Sequence, residues 1–362
     1  MLYEFLDPLR DLWFGFNVVR YITFRAAMAS VTAFILSLWL YPRMIAWLTA
    51  IRLGESARGT AIPKLHELHK HKTGTPTMGG LLIVGAMVGA TVLWASWHEP
   101  LVWGVVAVTL GLAAVGFWDD FLKWSRRSPS GLRARRKFFW QVLIALVFGL
   151  WFMTRQEIGT ILDIPFAKQI IVDLGWFMVP FVVLVIVGSS NAVNLTDGLD
   201  GLAIGCTVMI AVAYAGMSYL TGHVRFAEYL WIPYVPGAGE VAIFCAALAG
   251  AGLGFLWYNA HPASLFMGDT GSLALGGALG AVSVLIKKEL LLIIVGGIFV
   301  AEALSVILQV ASFRLTGRRL FLMAPLHHHF QLKGWPENKV TVRFWIIGAV
   351  LALVSLSTLK LR

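Results

Sequence analysis

Two adjacent aspartates, Asp119 and Asp120, lie in the motif GFWDDF, directly after the uncharged run LVWGVVAVTLGLAAV. Two like charges side by side repel each other and need a partner. The pattern places them near the carboxyl end of a membrane helix, where the helix dipole also disfavours anions. Two interpretations stay open: the acids mark the water interface, or they lie beside a bound cation. An all-oxygen setting with no cysteine nearby favours a hard cation such as Mg²⁺.

Glycine-rich motifs carry three more acids and an amide. Asp269 lies in MGDTG, where glycines let the backbone approach a ligand closely, although an N-cap for the next helix explains the same residues. Asn194, Asp197 and Asp200 lie in NLTDGLDGL. That motif suits an Asx turn with two caps, or contacts to phosphate, sugar or metal.

Histidines and lysines are the remaining candidate site residues. The run APLHHHF could bind Zn²⁺, but three consecutive histidines rarely face one ion, so one or two of them are expected to reach a substrate phosphate. Lys72 and Lys123 border glycine and aspartate motifs and could hold phosphates. Anchoring at the membrane surface explains both lysines too, and it is the preferred explanation for the basic residues from Arg126 to Lys137.

Composition indicates the class of protein that positions these groups. Of 362 residues, 58% are hydrophobic and 13% are charged, whereas a soluble domain is about half apolar and a quarter charged. The apolar residues form long runs, so we predict an all-α membrane protein of several spans. The net charge of +10 is explained by membrane topology and the anionic membrane surface, rather than by nucleic-acid binding. Cys206 and Cys245 lie inside apolar runs and indicate neither a disulfide nor a metal site.

We predict one membrane domain over residues 1–362, with an interfacial segment at 1–21 and about ten spans. The spans are expected near 23–45, 79–97, 101–119, 138–153, 170–189, 202–220, 241–258, 272–286, 290–312 and 342–359. Each is about long enough to cross a core of roughly 30 Å. Lysine and arginine are concentrated in loops 46–78, 119–137, 190–201, 259–271 and 313–341. These loops are therefore predicted to be cytoplasmic, with both termini periplasmic.

Nearly all the polar motifs fall in this one set of loops, whereas the acids of the other loops are scattered, which predicts a single site on the cytoplasmic face. Two further polar residues lie inside the ninth predicted span. Glu302 is an ionisable residue within the membrane, and such residues are functional or have a structural partner on a neighbouring helix. Gln309 lies nearer the cytoplasmic end and could border the site.

Taken together, GTPTMGG, GFWDDFLK, NAVNLTDGLDGLA, NAHPASLFMGDTGS and APLHHHF resemble the phospho-N-acetylmuramoyl-pentapeptide transferase family. The resemblance runs in order from about residue 20 to the end of the chain. A paired-aspartate motif alone indicates only the wider polyprenyl-phosphate N-acetylhexosamine-1-phosphate transferase superfamily. The resemblance implies that UDP-MurNAc-pentapeptide and undecaprenyl phosphate react, with Mg²⁺, to give lipid I and UMP. It also implies a bacterial inner-membrane enzyme, commonly a homodimer, with no nucleic-acid partner.

The resemblance also implies a role for each candidate residue. Asp269 is the leading Mg²⁺ ligand, Asp119 the candidate base for the lipid phosphate, and Asp120 a supporting polar or nucleotide contact; all three are counted as catalytic. The remaining residues are expected to bind substrate. Asn194 and Asp197 would lie near the metal and phosphates, Phe266 would stack on uracil, and Asp200 and Asn259 would lie near the nucleoside. Lys72 and Lys123 would contact phosphates, His328 and His329 would lie at the sugar phosphate with His328 also counted as catalytic, and Gln309 would border the site.

Two alternatives of function and one of mechanism stay open on the sequence. A sister transferase would move another hexosamine phosphate from UDP, and a transporter would carry an anionic solute past Glu302. The clustering of polar motifs on one face argues against the transporter. In the reaction itself, direct attack by the lipid phosphate is preferred to a phosphoryl-enzyme on an aspartate, because the carboxylate would add a step.

Overall fold

The computed structural model describes residues 2–6, 14–51, 74–126, 131–166 and 172–360. Most of these residues are helical. The helices are α1 (Leu2–Leu6), α2 (Ile22–Ala50), α3 (Gly80–Trp94), α4 (Pro100–Ser125), α5 (Ala134–Met153), α6 (Met178–Thr196), α7 (Leu202–Thr221), α8 (Val224–Leu230), α9 (Ala238–Asn259), α10 (Gly268–Leu285), α11 (Leu292–Val295), α12 (Gly297–Thr316), α13 (Leu326–Leu332) and α14 (Glu337–Ser357). Short 3-10 helices occupy Phe14–Arg20 and Gly175–Phe177, and strands β1 (Ile161–Leu162) and β2 (Val172–Asp173) form an antiparallel pair.

Eight of the described helices are long and apolar enough to cross a membrane, which confirms the prediction of an all-α polytopic protein. Two predicted spans, near 79–97 and 272–286, correspond to helices outside these eight. Helix α3 is apolar but has only 15 residues. Helix α10 has 18 residues, begins with a polar turn and is rich in glycine.

Several element boundaries differ from the sequence prediction. The span expected from residue 170 is helical only from Gly175, because residues 172–173 pair with β1 instead. Helix α4 continues to Ser125, so Asp119 and Asp120 do not lie at its carboxyl end. Helix α6 continues to Thr196 and takes NAVNLT out of the loop predicted at 190–201. The ninth span is divided at Gly296, between α11 and α12.

Helix α10 lies at the centre of the described bundle, packed mainly against α4 and α6. Every residue from Thr270 to Leu285 is buried. Small side chains make this possible, because they let neighbouring backbones approach closely. At Gly116 of α4, a Cβ atom would lie 2.2 Å from the carbonyl oxygen of Asp269. This contact sets the first turn of α10 against α4, just before the paired aspartates.

Helices α2 and α9 form a second tightly packed pair, held by a buried ion pair. The guanidinium of Arg25 donates to Glu240 at 2.7 Å and 2.5 Å. The Arg25 side chain is 3% exposed and that of Glu240 is 13% exposed. Ser96, which follows α3, donates its backbone N–H to Glu240 at 2.9 Å. The interaction therefore joins three helices at the end of the bundle opposite Asp269.

Gly80 provides a test of the close helix packing. A Cβ atom there would lie 2.1 Å from the backbone nitrogen of Gly271, whereas a Cβ atom at Gly85 of the same helix would meet nothing within 4 Å. We expect Gly80→Ala to destabilise the protein by about 1–3 kcal/mol, as overpacking does. Gly85→Ala should be neutral or slightly stabilising, because alanine favours helix by up to about 1 kcal/mol. Thermal unfolding in detergent, followed by tryptophan fluorescence, measures both; equal melting temperatures would contradict the packing described here.

Candidate active site

Three aspartates from distant motifs meet where α4 crosses the first turn of α10. Asp119, Asp120 and Asp269 can each place a carboxylate oxygen within 4.8 Å of the other two. Asp119 and Asp120 are only 3% and 5% exposed. The contact at Gly116 brings the two helices together at this point. The prediction that these motifs share one site is consistent with this geometry.

Asp120 caps the amino end of α10. Its carboxylate accepts hydrogen bonds from the backbone nitrogens of Asp269 at 3.2 Å and Thr270 at 2.9 Å, and from Thr270 Oγ1 at 2.8 Å. A helix amino end carries free N–H groups and a positive partial charge, so it stabilises an anion. The dipole at the amino end of α10 therefore stabilises the Asp120 carboxylate. The carboxyl end of α4, whose dipole was expected to destabilise it, lies further along that helix.

Two lysines neutralise part of the acidic charge. The Nζ atom of Lys123 lies 2.5 Å from Asp119 Oδ2 and 2.8 Å from Asp269 Oδ2. The Nζ atom of Lys137 lies 2.8 Å from the same Oδ2 atom of Asp269. Three carboxylates and two ammonium groups thus share one small region. The lysines and the amino end of α10 offset the repulsion between the carboxylates of Asp119 and Asp120. A bound cation is therefore not required to explain the adjacent pair.

Lys137 is the residue that reasoning from the sequence missed. It lies in the run RARRK, where surface anchoring was the preferred explanation for every basic residue. Only the structure distinguishes it: Lys137 is half-buried and faces the site, whereas Arg136 is exposed. The break before α5 at residue 133 turns the chain back toward α4. Leu132 on that turn donates its backbone N–H to Asp119 Oδ1 at 2.6 Å.

Asn194 links the acidic cluster to α6. Its side-chain nitrogen donates to Asp269 Oδ1 at 2.9 Å and to Ser272 Oγ at 2.7 Å. Asp197 directly follows the last residue of α6, Thr196. Because Asn194 lies on a helix rather than on the predicted loop, its side chain has a fixed direction toward α10. The structure therefore places the predicted metal and phosphate residues Asn194 and Asp269 in direct contact.

A second polar group orders the loop between α9 and α10. The Oδ2 atom of Asp200 lies 2.9 Å from His261 Nδ1 and accepts from the backbone nitrogen of Ala263 at 3.1 Å. Asn259 accepts from Gly201 N at 3.0 Å and donates to the carbonyl of Leu265 at 2.8 Å. Asp200 and Asn259 are thus joined to the backbone that carries the next residue, Phe266. Asp200, His261 and Glu337 also bring ligand atoms close together, but Glu337 accepts the Asp200 N–H at 2.8 Å as a structural contact.

Phe266 is held by the segment that precedes α3. Its backbone nitrogen donates to the carbonyl of Pro76 and its carbonyl accepts from Gly79 N, both at 2.9 Å. Its side chain is half-buried. The motif GTPTMGG therefore positions the aromatic ring predicted to stack on a base. Lys72 lies outside the described residues.

The three histidines belong to a short helix, α13, rather than to a loop. His327 is buried, and His328 and His329 are half-buried. His328 Nδ1 lies 2.9 Å from Gln331 Oε1. His329 Nδ1 accepts from Leu322 N at 3.1 Å, which places any ring proton on Nε2. Burial lowers the pKa of His329, and the charge of Lys333 lowers it further, so the neutral imidazole predominates at pH 7.

Gln309 fixes the segment that leads into this helix. Its Oε1 atom accepts from the backbone nitrogens of Leu320 at 3.0 Å and Phe321 at 2.9 Å, and its Nε2 donates to the Phe321 carbonyl at 3.1 Å. All three contacts are to backbone. Gln309 therefore fixes the backbone of the segment that leads into the histidine helix, and its place at the border of the substrate site stays a prediction.

The donor set of the acidic cluster suits a hard divalent cation. The group contains carboxylate oxygens, with the amide of Asn194 beside them, and no sulfur ligand. Such oxygen donors are the ones that Mg²⁺ prefers. The ammonium groups of Lys123 and Lys137 at Asp269 show that positive charge is stabilised at this point. Chemically, the arrangement can bring together a cation and phosphate groups beside two lysines.

Comparison with known proteins gives two family matches and a relative of full length. Residues 102–287 match the family described as Glycosyl transferase family 4. Residues 72–84 match signature 1 of phospho-N-acetylmuramoyl-pentapeptide-transferase. The chain is also 51% identical to a phospho-N-acetylmuramoyl-pentapeptide-transferase of Oleidesulfovibrio alaskensis, over 363 residues and 100% of both chains. The resemblance inferred from the five motifs is confirmed.

The contact of Lys137 with Asp269 can be tested without any assay of activity. We expect Lys137→Met to lower the free energy of unfolding by about 1–3 kcal/mol, because the half-buried carboxylate of Asp269 loses a charged hydrogen-bond partner. Added Mg²⁺ should reduce this difference, since the cation replaces the lost positive charge. Arg136→Met is the control and should melt like the unchanged protein. Identical Mg²⁺ responses of all three proteins in thermal unfolding would show that Lys137 is only a surface anchor.

Proposed function

Since this chain belongs to the phospho-N-acetylmuramoyl-pentapeptide transferase family, we propose that it transfers phospho-MurNAc-pentapeptide from UDP-MurNAc-pentapeptide to undecaprenyl phosphate. The products are lipid I and UMP, and the reaction is the first membrane step of peptidoglycan synthesis. The observation that carries the proposal is the acidic cluster of Asp119, Asp120 and Asp269 between two lysines. It offers a place where two anionic substrates can be brought together.

The chemistry of the substrates supports a site at the membrane surface. One substrate is a water-soluble nucleotide and the other is a lipid with a phosphate head, so they can meet only where membrane and cytoplasm adjoin. We place the ten predicted spans in the bacterial inner membrane, with both termini periplasmic and the acidic cluster on the cytoplasmic face. The concentration of lysine and arginine on the loops around the cluster supports this orientation. A homodimer without nucleic acid is proposed from the family.

Asp269 is proposed as the Mg²⁺ ligand, with Asp119 and Asn194 beside it. It is the carboxylate on α10 that both lysines and Asn194 contact, and these three partners come from three other helices. Mg²⁺ bound here would offset the charge of the nucleotide diphosphate and polarise it toward attack. Asp120 has a different part, because its oxygens already cap α10. It positions Asp269.

Direct displacement fits these residues. An oxygen of the lipid phosphate attacks the phosphorus bonded to the sugar, the bond from that phosphorus to the bridging oxygen breaks, and UMP leaves. Asp119 accepts a proton if the lipid phosphate arrives singly ionised; phosphate monoesters lose that proton at a pKa of about 6, so placement matters more than base strength. Lys123 and Lys137 neutralise the phosphates. Positioning and charge stabilisation supply most of the catalysis in phosphoryl transfer.

The nucleoside is proposed to bind beside the loop between α9 and α10. Phe266 would stack on uracil, and Asp200 and Asn259, which order the loop around that ring, would lie near the ribose. Lys72 is proposed to reach a phosphate from the preceding segment. His328 and His329 are proposed at the sugar phosphate, with His328 close to the reacting groups, and Gln309 shapes the border there.

UMP release tests both the reaction and the metal assignment. Purified protein in detergent should release UMP from UDP-MurNAc-pentapeptide only with C55 phosphate and Mg²⁺, and much less from UDP-GlcNAc. Asp269→Asn should lower kcat at least about 100-fold, because it removes a charge that acts in the transition state. Preference for UDP-GlcNAc would indicate a sister transferase, and no UMP release from either nucleotide would refute the proposal. An unchanged rate for Asp269→Asn would refute the metal assignment.

The order of bond changes can be tested separately. With a nucleotide labelled in the sugar phosphate and no lipid, we expect no label on the protein and no burst of UMP, because direct attack needs both substrates. Rapid quenching and mass spectrometry of the peptide that carries Asp119 and Asp120 give the measurement. A labelled aspartate formed at a rate comparable to kcat would establish the covalent route instead.

A further inference from the structure

Glu302 of α12 and His327 of α13 form a buried pair that has no role in the reaction as proposed above. Their exposed fractions are 0% and 1%. Glu302 Oε1 accepts a hydrogen bond from the backbone nitrogen of His327 at 3.2 Å and lies 3.3 Å from Nδ1 of its ring. Among the described residues, Glu302 Oε2 and both ring nitrogens of His327 make no hydrogen bond. Burying polar groups with so few partners costs free energy, so stability alone does not explain the pair.

The ring of His327 touches two parts of the candidate site. Its centroid lies 4.2 Å from that of His328, with the ring planes inclined by 59°. The Nε2 atom of the same ring faces Gly198, where a Cβ atom would lie only 2.3 Å away. Gly198 follows Asp197 in the turn DGLDG. The imidazole is therefore in contact with both the turn that carries Asp197 and the ring of His328.

We propose that Glu302 is a positioning residue that acts through His327. By binding the amino end of α13 and facing the ring, Glu302 fixes the imidazole, and the imidazole fixes the spacing between Asp197 and His328. Asp197 directly follows α6 and His328 lies on α13, and the ring contacts both segments, so a shift of the ring changes their separation. The inference rests on the proposed function, because only a bound sugar phosphate gives that separation a consequence. Misplacement of about 1 Å can lower a rate about 100-fold.

The same imidazole can be disturbed from either side, which gives the test its design. Glu302→Gln keeps an oxygen for the His327 N–H and removes the charge that faces the ring. Gly198→Ala leaves Glu302 intact and pushes on Nε2 with a methyl group. Gly188→Ala on α6 is the matched control, because a Cβ atom there would meet nothing within 4 Å. The fourth protein is the double variant Glu302→Gln with Gly198→Ala.

Steady-state UMP release and thermal unfolding are measured for all five proteins, including the unchanged one. We expect each of the two site variants to lower kcat about 10- to 100-fold, with KM for the nucleotide within about twofold, since alignment acts in the transition state. The double variant should be little worse than the more damaged single variant, because both changes act on one ring. Gly188→Ala should retain the full rate.

Three results would decide against the inference. Multiplying effects in the double variant would show that Glu302 and Gly198 act independently. A loss of folded protein with an unchanged kcat per folded molecule would show a structural role only. A rise in KM with unchanged kcat would show a binding role. Failure of the unchanged protein to release UMP is a different outcome, since it would refute the proposed function itself.

Discussion

The amino end of α10 needs a negative charge, and Asp120 supplies it. Three hydrogen bonds from the first turn of α10 end on that one carboxylate. The contact can form only because Gly116 allows the backbones of α4 and α10 to touch. It fixes Asp269, one residue into the helix, beside Asp119 and both lysines. The candidate active site is therefore a consequence of how one buried helix begins.

Burial gives this arrangement its rigidity. Helix α10 is surrounded by protein from Thr270 to Leu285. Its neighbours bring the remaining groups: Asn194 from α6, Lys123 from α4 and Lys137 from α5. Each of these side chains lies on a helix, so its direction is fixed by packing rather than by a loop. Asp200 and Asn259 likewise fix the loop that carries Phe266, through hydrogen bonds to backbone groups.

Much of the fold followed from the sequence, because long uncharged runs leave few alternatives to membrane helices. The motifs around Asp119 and Asp269 were also recognisable, since acids are rare in such a chain. Helix ends were less predictable: α6 continues past the polar segment GSSN to Thr196, and Asn194 on that last part contacts Ser272 of α10. Lys137 could not be distinguished from its basic neighbours, because its role depends on the turn before α5 and not on residue type. The burial of His327 depends on Gly198 and Glu302, which are distant in sequence.

The two ammonium groups on Asp269 have a consequence for how ligands enter. Without substrate, the protein supplies its own counter-ions, and the acids need not recruit cations from solution. In the proposed reaction, ligand binding would be an exchange of partners: the lysines would leave the carboxylate for phosphate, and Mg²⁺ would take their place. The total charge of the region changes little in such an exchange. The free energy of ligand binding should therefore depend only weakly on ionic strength. Binding of a free cation to an anionic site without such lysines would depend on it more strongly.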